Sequence, residues 1–546
     1  MKLQIDGQLI QYDHPVQLTD VLHDLSLENK LAATVNGRLR ELTYIETKDA
    51  DIAFLGYEHA DAIRVYESTL RYVVAMAIYR LFPEVKVKFN YSISRSILAV
   101  LDQYPGPINQ LLIDKIKHEV LAIIDADFKI ERKRVSVGEA AIIYAERHMQ
   151  DKIAVLEYRE EDYVNTYECD GYINYMFGYM LPSTGYLKTF NMFLYSPGFI
   201  IQYPRAEAGG VIPEFVDEPI FGQALKEVAK WGKIIQGNTI PKMNEYAKDM
   251  RSAVDFVNMC ETKHFHQLNE LGTIIQSNIE SIRLIGIAGP SSSGKTTFSN
   301  RLRIELMSRG LRPLMISIDD YYLGRDLAPK NEDGSPDLEH IDALDVDLFN
   351  HDMLALIQGQ TVTLPKFNFK SGQRELGKTV SINEDTPIII EGIHALNEKL
   401  TKSIPKHQKF KIYIAPQTQL HIDDHNPISI TELRLLRRIV RDQKYRGTSA
   451  LDTMNMWSSV RRGEFRWIYP FQKEANYTFN SELTYELAVL KTHATAQLQA
   501  IPKDSKHYIT ANRLLKFLKY FKTIEDELVP CNSLLREFIG GSSFHD

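Results

Sequence analysis

Gly289-Pro290-Ser291-Ser292-Ser293-Gly294-Lys295-Thr296 is the stretch that decides how this 546-residue chain is read. It fits the spacing G-x-x-x-x-G-K-[ST]. The apolar run Ile282-Arg283-Leu284-Ile285-Gly286-Ile287-Ala288 precedes it, and Phe298, Leu302 and Leu306 follow at helical spacing. Strand, loop and helix are the setting this motif requires. Its glycines let successive N–H groups turn inward to an anion, and the helix adds the positive end of its dipole. Lys295 then reaches the β- and γ-phosphates of a nucleoside triphosphate, Thr296 offers a hydroxyl to Mg2+, and Thr297 completes the cradle.

Outward from the loop, Leu314-Met315-Ile316-Ser317-Ile318 reads as a second parallel strand running into Asp319-Asp320-Tyr321-Tyr322. Carboxylates at the C-terminal end of such a strand face the ligand crevice of an open α/β sheet. One acceptor for a hydroxyl proton is enough, so Asp319 is the candidate base and Asp320 reads as a loop residue. A third apolar run, Pro387-Ile388-Ile389-Ile390, ends in Glu391, placed to support the metal. His394 is expected to be an ordinary loop histidine.

Arg434, Arg437, Arg438 and Arg441 fall within one arc of a helix at about 100° per residue. Four guanidinium groups on one face repel, and a triphosphate would relieve that. The expectation is a lid that closes over the nucleotide. Between Trp457 and Phe471, Arg461, Arg462 and Arg466 alternate with Trp467 and Tyr469. Two readings stand there: base stacking with phosphate pairing, or a packed aromatic seam with snorkelling arginines.

A chain of 546 residues exceeds one hydrophobic core and splits into domains. A formal charge of −7 provides no global field for nucleic acid or anionic lipid. Cys169, Cys260 and Cys531 are far apart and match neither a disulfide framework nor a thiolate metal site. No secretory leader or membrane span is read, so the expected setting is cytoplasmic.

The fold class expected is multidomain, α/β with α+β. Residues 1–58 read as a β-grasp unit with an Asn36-Gly37 hairpin turn. Residues 59–220 read as an α+β domain whose first helix runs from Ala62 to Phe82 before Pro83. A helical connector (221–281), an α/β domain with a parallel sheet (282–500) and a C-terminal helical segment and tail (501–546) complete the division.

The later half resembles the uridine kinase and phosphoribulokinase group. Ser317-Ile318-Asp319-Asp320-Tyr321-Tyr322 is similar to that group's Ser-x-Asp-Ser-Phe-Tyr, and Glu339-His340-Ile341-Asp342-Ala343-Leu344-Asp345 to its Asp-His-Pro-Asp-Ala-Phe-Asp. Leu364-Pro365-Lys366-Phe367-Asn368-Phe369 resembles Ile-Pro-x-Tyr-Asp-Phe, Glu391-Gly392-Ile393 matches Glu-Gly-Ile, and Arg434 to Gly447 is similar to the lid segment. The resemblance implies ATP and Mg2+ as cofactors and Asp319 as base toward a nucleoside 5′-hydroxyl. It places Tyr322 beside the nucleoside, Glu339 on the ribose hydroxyls and Phe367 at the base. It leaves Lys295, Arg437, Arg438 and Arg441 on the phosphates, Arg438 and Arg446 toward the substrate, and Thr296 with Glu391 at the metal. Gly372 and Thr448 replace a histidine and an arginine that help read the pyrimidine, so base specificity does not carry over.

The front half, to about Pro219, resembles the TGS domain and the editing-type second domain of threonyl-tRNA synthetases, through Tyr12-Asp13-His14-Pro15-Val16 and Val35-Asn36-Gly37. The hydrolytic His-x-x-x-His and Cys-x-x-x-His positions fall on Ser68, Tyr72, Met176 and Met180, none an ordinary acid–base or metal centre. That implies a scaffold or a domain sensing RNA or a small molecule, in a chain expected to act without a membrane and as a candidate homo-oligomer. Two other functions remain open: a kinase of another hydroxyl acceptor such as a sugar phosphate, and an ATP-binding, RNA-associated regulator.

Overall fold

The computed structural model describes every residue except 6, 325, 326, 331–333, 335, 369, 370, 384, 419, 545 and 546, and the side chain of Phe221. Phe369, in the phrase expected to wall a base pocket, lies outside the described residues. No described helix is long and apolar enough to cross a membrane.

The chain forms two compact units, and both are discontinuous. Unit 1 comprises Met1–Glu245, Gln419–Ser429 and Leu498–Lys522. Unit 2 comprises Tyr246–Thr418, Ile430–Gln497 and Thr523–Asp546. The contiguous division read from the sequence is corrected here. The stretch expected to be one connector is shared out, because the helix Met250–Ser277 packs into unit 2, where Glu261 accepts the Tyr485 hydroxyl at 2.7 Å. The helix Tyr508–Leu518 and the hairpin formed by His421–Asp423 and Asn426–Pro427 belong to unit 1.

Unit 1 opens with a five-stranded sheet in the order Gln8–Gln11, Lys2–Ile5, Ala50–Gly56, Lys30–Val35, Arg38–Arg40. Asn36 (φ 48°) and Gly37 (φ 72°) make the turn between the last two strands. The helix Leu18–Asp24 buries Leu18, Val21 and Leu22, at i, i+3 and i+4, among Leu3, Ile5 and Ile52. Next comes the helix Ala60–Leu81, with Pro83 two residues past its end. It lies at the centre of the second core, with a four-stranded antiparallel sheet ordered Asn191–Tyr195, Gly198–Gln202, Ile97–Asp102, Lys86–Tyr91. A three-stranded sheet, Glu131–Ser136, Tyr163–Cys169 and Tyr172–Asn174, completes it.

Unit 2 is built on a parallel sheet ordered Leu314–Ser317, Ile388–Glu391, Leu284–Ala288, Lys409–Ala415, Tyr477–Asn480. The strand Leu284–Ala288 is central and wholly buried, which is why it reads as an unbroken apolar run. Its neighbours leave for opposite sides, so the crevice at its C-terminal end is the topological switch point where such sheets bind ligands. The C-terminal segment, residues 501–546, holds two separate α-helices among its described residues. The first stops at Leu518, and after Pro530 only a short helix, Arg536–Ile539, forms before Gly540.

Candidate active site

The strand Leu284–Ala288 turns directly into the helix Lys295–Ser308. Glycine is demanded at two points of that turn. A Cβ built on Gly289 would stand 1.9 Å from the Ile414 carbonyl oxygen of the adjacent strand, and Gly294 caps the helix at φ 91°. Lys295 Nζ donates to the carbonyls of Gly289 (3.0 Å) and Pro290 (3.3 Å). The Ser292, Ser293 and Thr297 hydroxyls are buried without a hydrogen-bond partner among the described residues. Unpaired buried hydroxyls are costly, and phosphate oxygens are the acceptors that would satisfy them. The loop thus fits a polyphosphate chain.

Asp319, Glu391, Glu339 and Glu537 all act on Lys295 or feel its charge. Asp319 stands in the turn Ile318–Tyr321 after its strand, and Glu391 ends its own strand directly opposite Ser317, whose hydroxyl it accepts at 3.4 Å. Burial and Asp319 push Glu391 up to about 7 against the pull of Lys295. Burial also raises Asp319, with Lys295 again opposing. Glu339 is pushed up to about 7 by burial, Glu464 and Asp319, with Arg438 and Lys295 acting against them. Lys295 is drawn down by burial and held up by Glu391, Glu537 and Asp319. One ammonium among carboxylates that are hard to ionise together is a site tuned to exchange protons and bind cations. Thr296 and Glu391 are the pair that could hold a magnesium ion.

The acceptor side lies against the same group. Tyr322 feels the charges of Asp319 and Glu339, and its ring tilts against Phe367 at 5.7 Å. Asp320 accepts the Phe367 amide at 3.2 Å and pairs with Lys366, so it pins the strand Val362–Asn368, as a loop acid should. Gly372, where the resemblance expects a histidine, makes a left-handed turn in that hairpin (φ 69°). His394 is buried, pushed down to about 4 by desolvation, and bonds the Glu339 carbonyl at 3.1 Å. It is a neutral prop for Glu339.

The arginine helix, Ile430–Arg446, does not act as one cationic lid. Arg434 and Arg437 are 2% and 0% exposed. Arg434 donates to the Ser291 carbonyl (2.9 Å) and pairs with Glu464, whose carboxylate accepts the Ser291 amide (3.2 Å). Arg437 is bidentate to Glu486 (2.7 and 2.9 Å) and donates to the Ser481 carbonyl and to the Ser292 and Ser293 carbonyls. Its place among the groups closing over the phosphoryl is therefore corrected: its donors are consumed by Glu486 and by the loop's carbonyls, so it braces the loop. Arg438 reaches the Ser291 hydroxyl at 2.7 Å. Arg438, Arg441 and Arg446 share the buried Asp442 and form the half that faces the acids.

Glu464, Glu486 and Asp442 were missed in the sequence. The repulsion among four arginines was the available signal that acids should be sought. Between Trp457 and Phe471 the packed seam is what forms: Arg461 donates to Tyr469 (2.7 Å), pairs with Glu464 and lies over Phe465, while Trp467 packs edge-on to His340.

In unit 1, Ser68, Tyr72, Met176 and Met180 are all buried. Ser68 and Gly178 approach each other, and the Tyr72 hydroxyl donates to the Tyr172 carbonyl at 2.7 Å. The hairpin His421–Pro427 packs here. Asn426 accepts the Phe177 amide (2.8 Å), His425 meets Asn174 (2.9 Å) and Arg71, and Asp423 pairs with Lys152 (2.9 Å). Burial pushes His425 down to about 3, so it stays neutral.

A five-stranded parallel sheet with a phosphate loop at its switch point and acids on the flanking strands defines a P-loop kinase. Residues 284–488 match the model of the "Phosphoribulokinase / Uridine kinase family". Over 199 residues the chain is 30% identical to a uridine kinase of Staphylococcus aureus, covering 36% of this chain and 87% of that one. The chain belongs to the phosphoribulokinase and uridine kinase family. Its N-terminal half matches threonine–tRNA ligases. With that of Symbiobacterium thermophilum it is 28% identical over 191 residues, 34% of this chain, and it spans 29% of the ligase's length. A solved structure described as a "Possible Uridine Kinase" from Bacillus stearothermophilus is 18% identical, covers 37% of this chain and 89% of that one, and has a TM-score of 0.23.

Proposed function

We propose that the protein transfers the γ-phosphoryl group of ATP to the 5′-hydroxyl of a nucleoside. The observation that carries this reading is the convergence of Asp319, Glu339 and Tyr322 beside Lys295 and the phosphate loop. Asp319 takes the proton of the attacking hydroxyl as the new O–P bond forms, and the bond from the γ-phosphorus to the β-bridging oxygen breaks to release ADP. Lys295, the loop amides and the Ser292, Ser293 and Thr297 hydroxyls hold the phosphates. Arg438 and Arg441 offset the charge that spreads over the moving group, with Arg446 near the acceptor. A magnesium ion, when bound at Thr296 and Glu391, supplies neutralisation of the phosphate charge. Glu339 orients the ribose hydroxyls, and Tyr322 with Phe367 forms the wall of the base site.

The test is ADP release by the purified chain with Mg-ATP, comparing each common nucleoside with a panel of sugars and sugar phosphates. We expect a nucleoside to stimulate release strongly over the acceptor-free rate. Stimulation by a sugar phosphate alone would replace the acceptor and keep the kinase. Salt-sensitive RNA binding without any acceptor-stimulated release would replace the kinase altogether.

Glu339 gives a pH signature. A carboxylate accepts from two hydroxyls at once, and protonation removes part of that capacity. With its carboxyl pushed up to about 7, the group gains protons as pH falls through that value. The nucleoside KM should therefore rise on the acid side of 7, and Glu339→Gln should abolish the trend. A KM with the same pH profile in both proteins would remove Glu339 from the ribose.

For the N-terminal half we infer a TGS-like β-grasp module and an editing-like module that lacks hydrolysis and serves as scaffold or sensor. Its support is the burial of Ser68 and Tyr72, with the hairpin His421–Pro427 packed nearby.

A further inference from the structure

The C-terminal segment lies on the phosphate loop. Arg536 ties the segment to itself, donating to the carbonyls of Asp526 (2.7 Å), Val529 (2.7 Å) and Gly540 (3.2 Å). The folded turn presents Leu534, Glu537 and Phe538, at i, i+3 and i+4, on one face. Leu534 covers Gly294 so closely that a Cβ built there would come within 2.4 Å of its Cδ2. Phe538 lies under the Arg437 guanidinium at 4.9 Å, and Ser533 stands 3.3 Å from the Tyr485 hydroxyl.

Glu537 is the telling residue. Its Oε2 accepts the Thr297 N–H at 2.9 Å. That amide is the third of the loop's helix and one of the donors the helix cannot satisfy internally. Lys295 and Glu391 both feel the Glu537 charge, so the carboxylate stands inside the group of residues assigned to the phosphates and metal. A phosphate oxygen and this carboxylate would claim the same N–H, and two anions so close repel.

We propose that the segment from Cys531 to Gly540 is an intrinsic competitor for the nucleotide: Glu537 holds the loop as a phosphate would, and ATP binds by displacing it. The inference rests on the reading of residues 289–297 as a triphosphate cradle. The segment contributes no strand to the parallel sheet, so it can leave without breaking it. While docked it lowers the fraction of competent protein, and the apparent affinity falls by that fraction. Docking in nine molecules of ten weakens nucleotide binding by about tenfold.

The experiment measures Mg-ADP affinity in the full-length protein and in Glu537→Ala, together with amide hydrogen exchange across residues 531–544. Glu537→Ala keeps Leu534 on Gly294 and Phe538 under Arg437, both of which a truncation after Pro530 would remove. We expect Mg-ADP to bind at least about tenfold more tightly to Glu537→Ala, and to speed exchange across 531–544 in the unaltered protein. Equal affinity in the two proteins would overturn the inference and leave the kinase reading intact. Slower exchange on adding Mg-ADP would also overturn it, because the segment would then be a cover over the nucleotide. Failure of both proteins to bind Mg-ADP at millimolar concentration would overturn the cradle and, with it, the competition.

Discussion

Asp319→Asn leaves the chain folded and lowers kcat by about 10²–10⁴-fold, the range a general base supplies. Asparagine keeps the shape and the hydrogen bonding of the side chain but cannot take the proton. Burial raises the Asp319 carboxyl above the usual carboxylate range, and Lys295 opposes that rise. Nucleotide affinity should stay within a few-fold, since the loop amides and Lys295 carry that binding. The measurements are turnover with the best acceptor and Mg-ADP affinity by calorimetry. Turnover within a few-fold of the unaltered protein would transfer the base to another residue, and a collapse in nucleotide affinity would make Asp319 part of the cradle.

Arg437→Ala lowers stability by about 3–5 kcal/mol, the usual consequence of leaving one member of a buried ion pair alone. Glu486 is only 1% exposed, and Arg437 is what offsets the rise that burial imposes on its carboxyl. The same substitution removes donors to the Ser292 and Ser293 carbonyls, so the loop loosens along with the core. Arg441→Ala is the contrast. Asp442 keeps Arg438 and Arg446 as partners, so the loss of Arg441 leaves no lone buried charge and should cost less stability while turnover falls. Urea denaturation with both kinetic constants separates the two cases. Full stability with lost turnover in Arg437→Ala would restore it to the lid. Recovery of stability in Arg437→Met/Glu486→Leu would confirm the brace, because an apolar pair of similar volume often replaces a buried ionic one at little cost.

The phosphate loop and its flanking acids were legible because each is local: a strand ending in Gly289, another in Asp319 and a third in Glu391 announce themselves within a few residues. The brace beneath the loop was not legible in that way. Arg434 and Arg437 read as a free cationic face because their partners, Glu464 and Glu486, arrive from 30 and 49 residues away. Arg461 and Trp467 allowed two readings, since stacking on a base and packing in a seam ask for the same side chains. His421–Pro427 reads as any loop between a strand and a helix. Nothing local tells that Asp423 will neutralise Lys152, a residue of the first half of the chain. The glutamate at 537 was hidden for the same reason, since its partner, the Thr297 amide, is 240 residues away.

The excursion of the polypeptide from Thr418 through the hairpin to Ile430 has a practical corollary for anyone dissecting the molecule. Cloning from Ile282 onward would strand Asp423 and Asn426 without Lys152 and the Phe177 amide. Expressing only the first 245 residues would leave Lys152 an uncompensated interior charge.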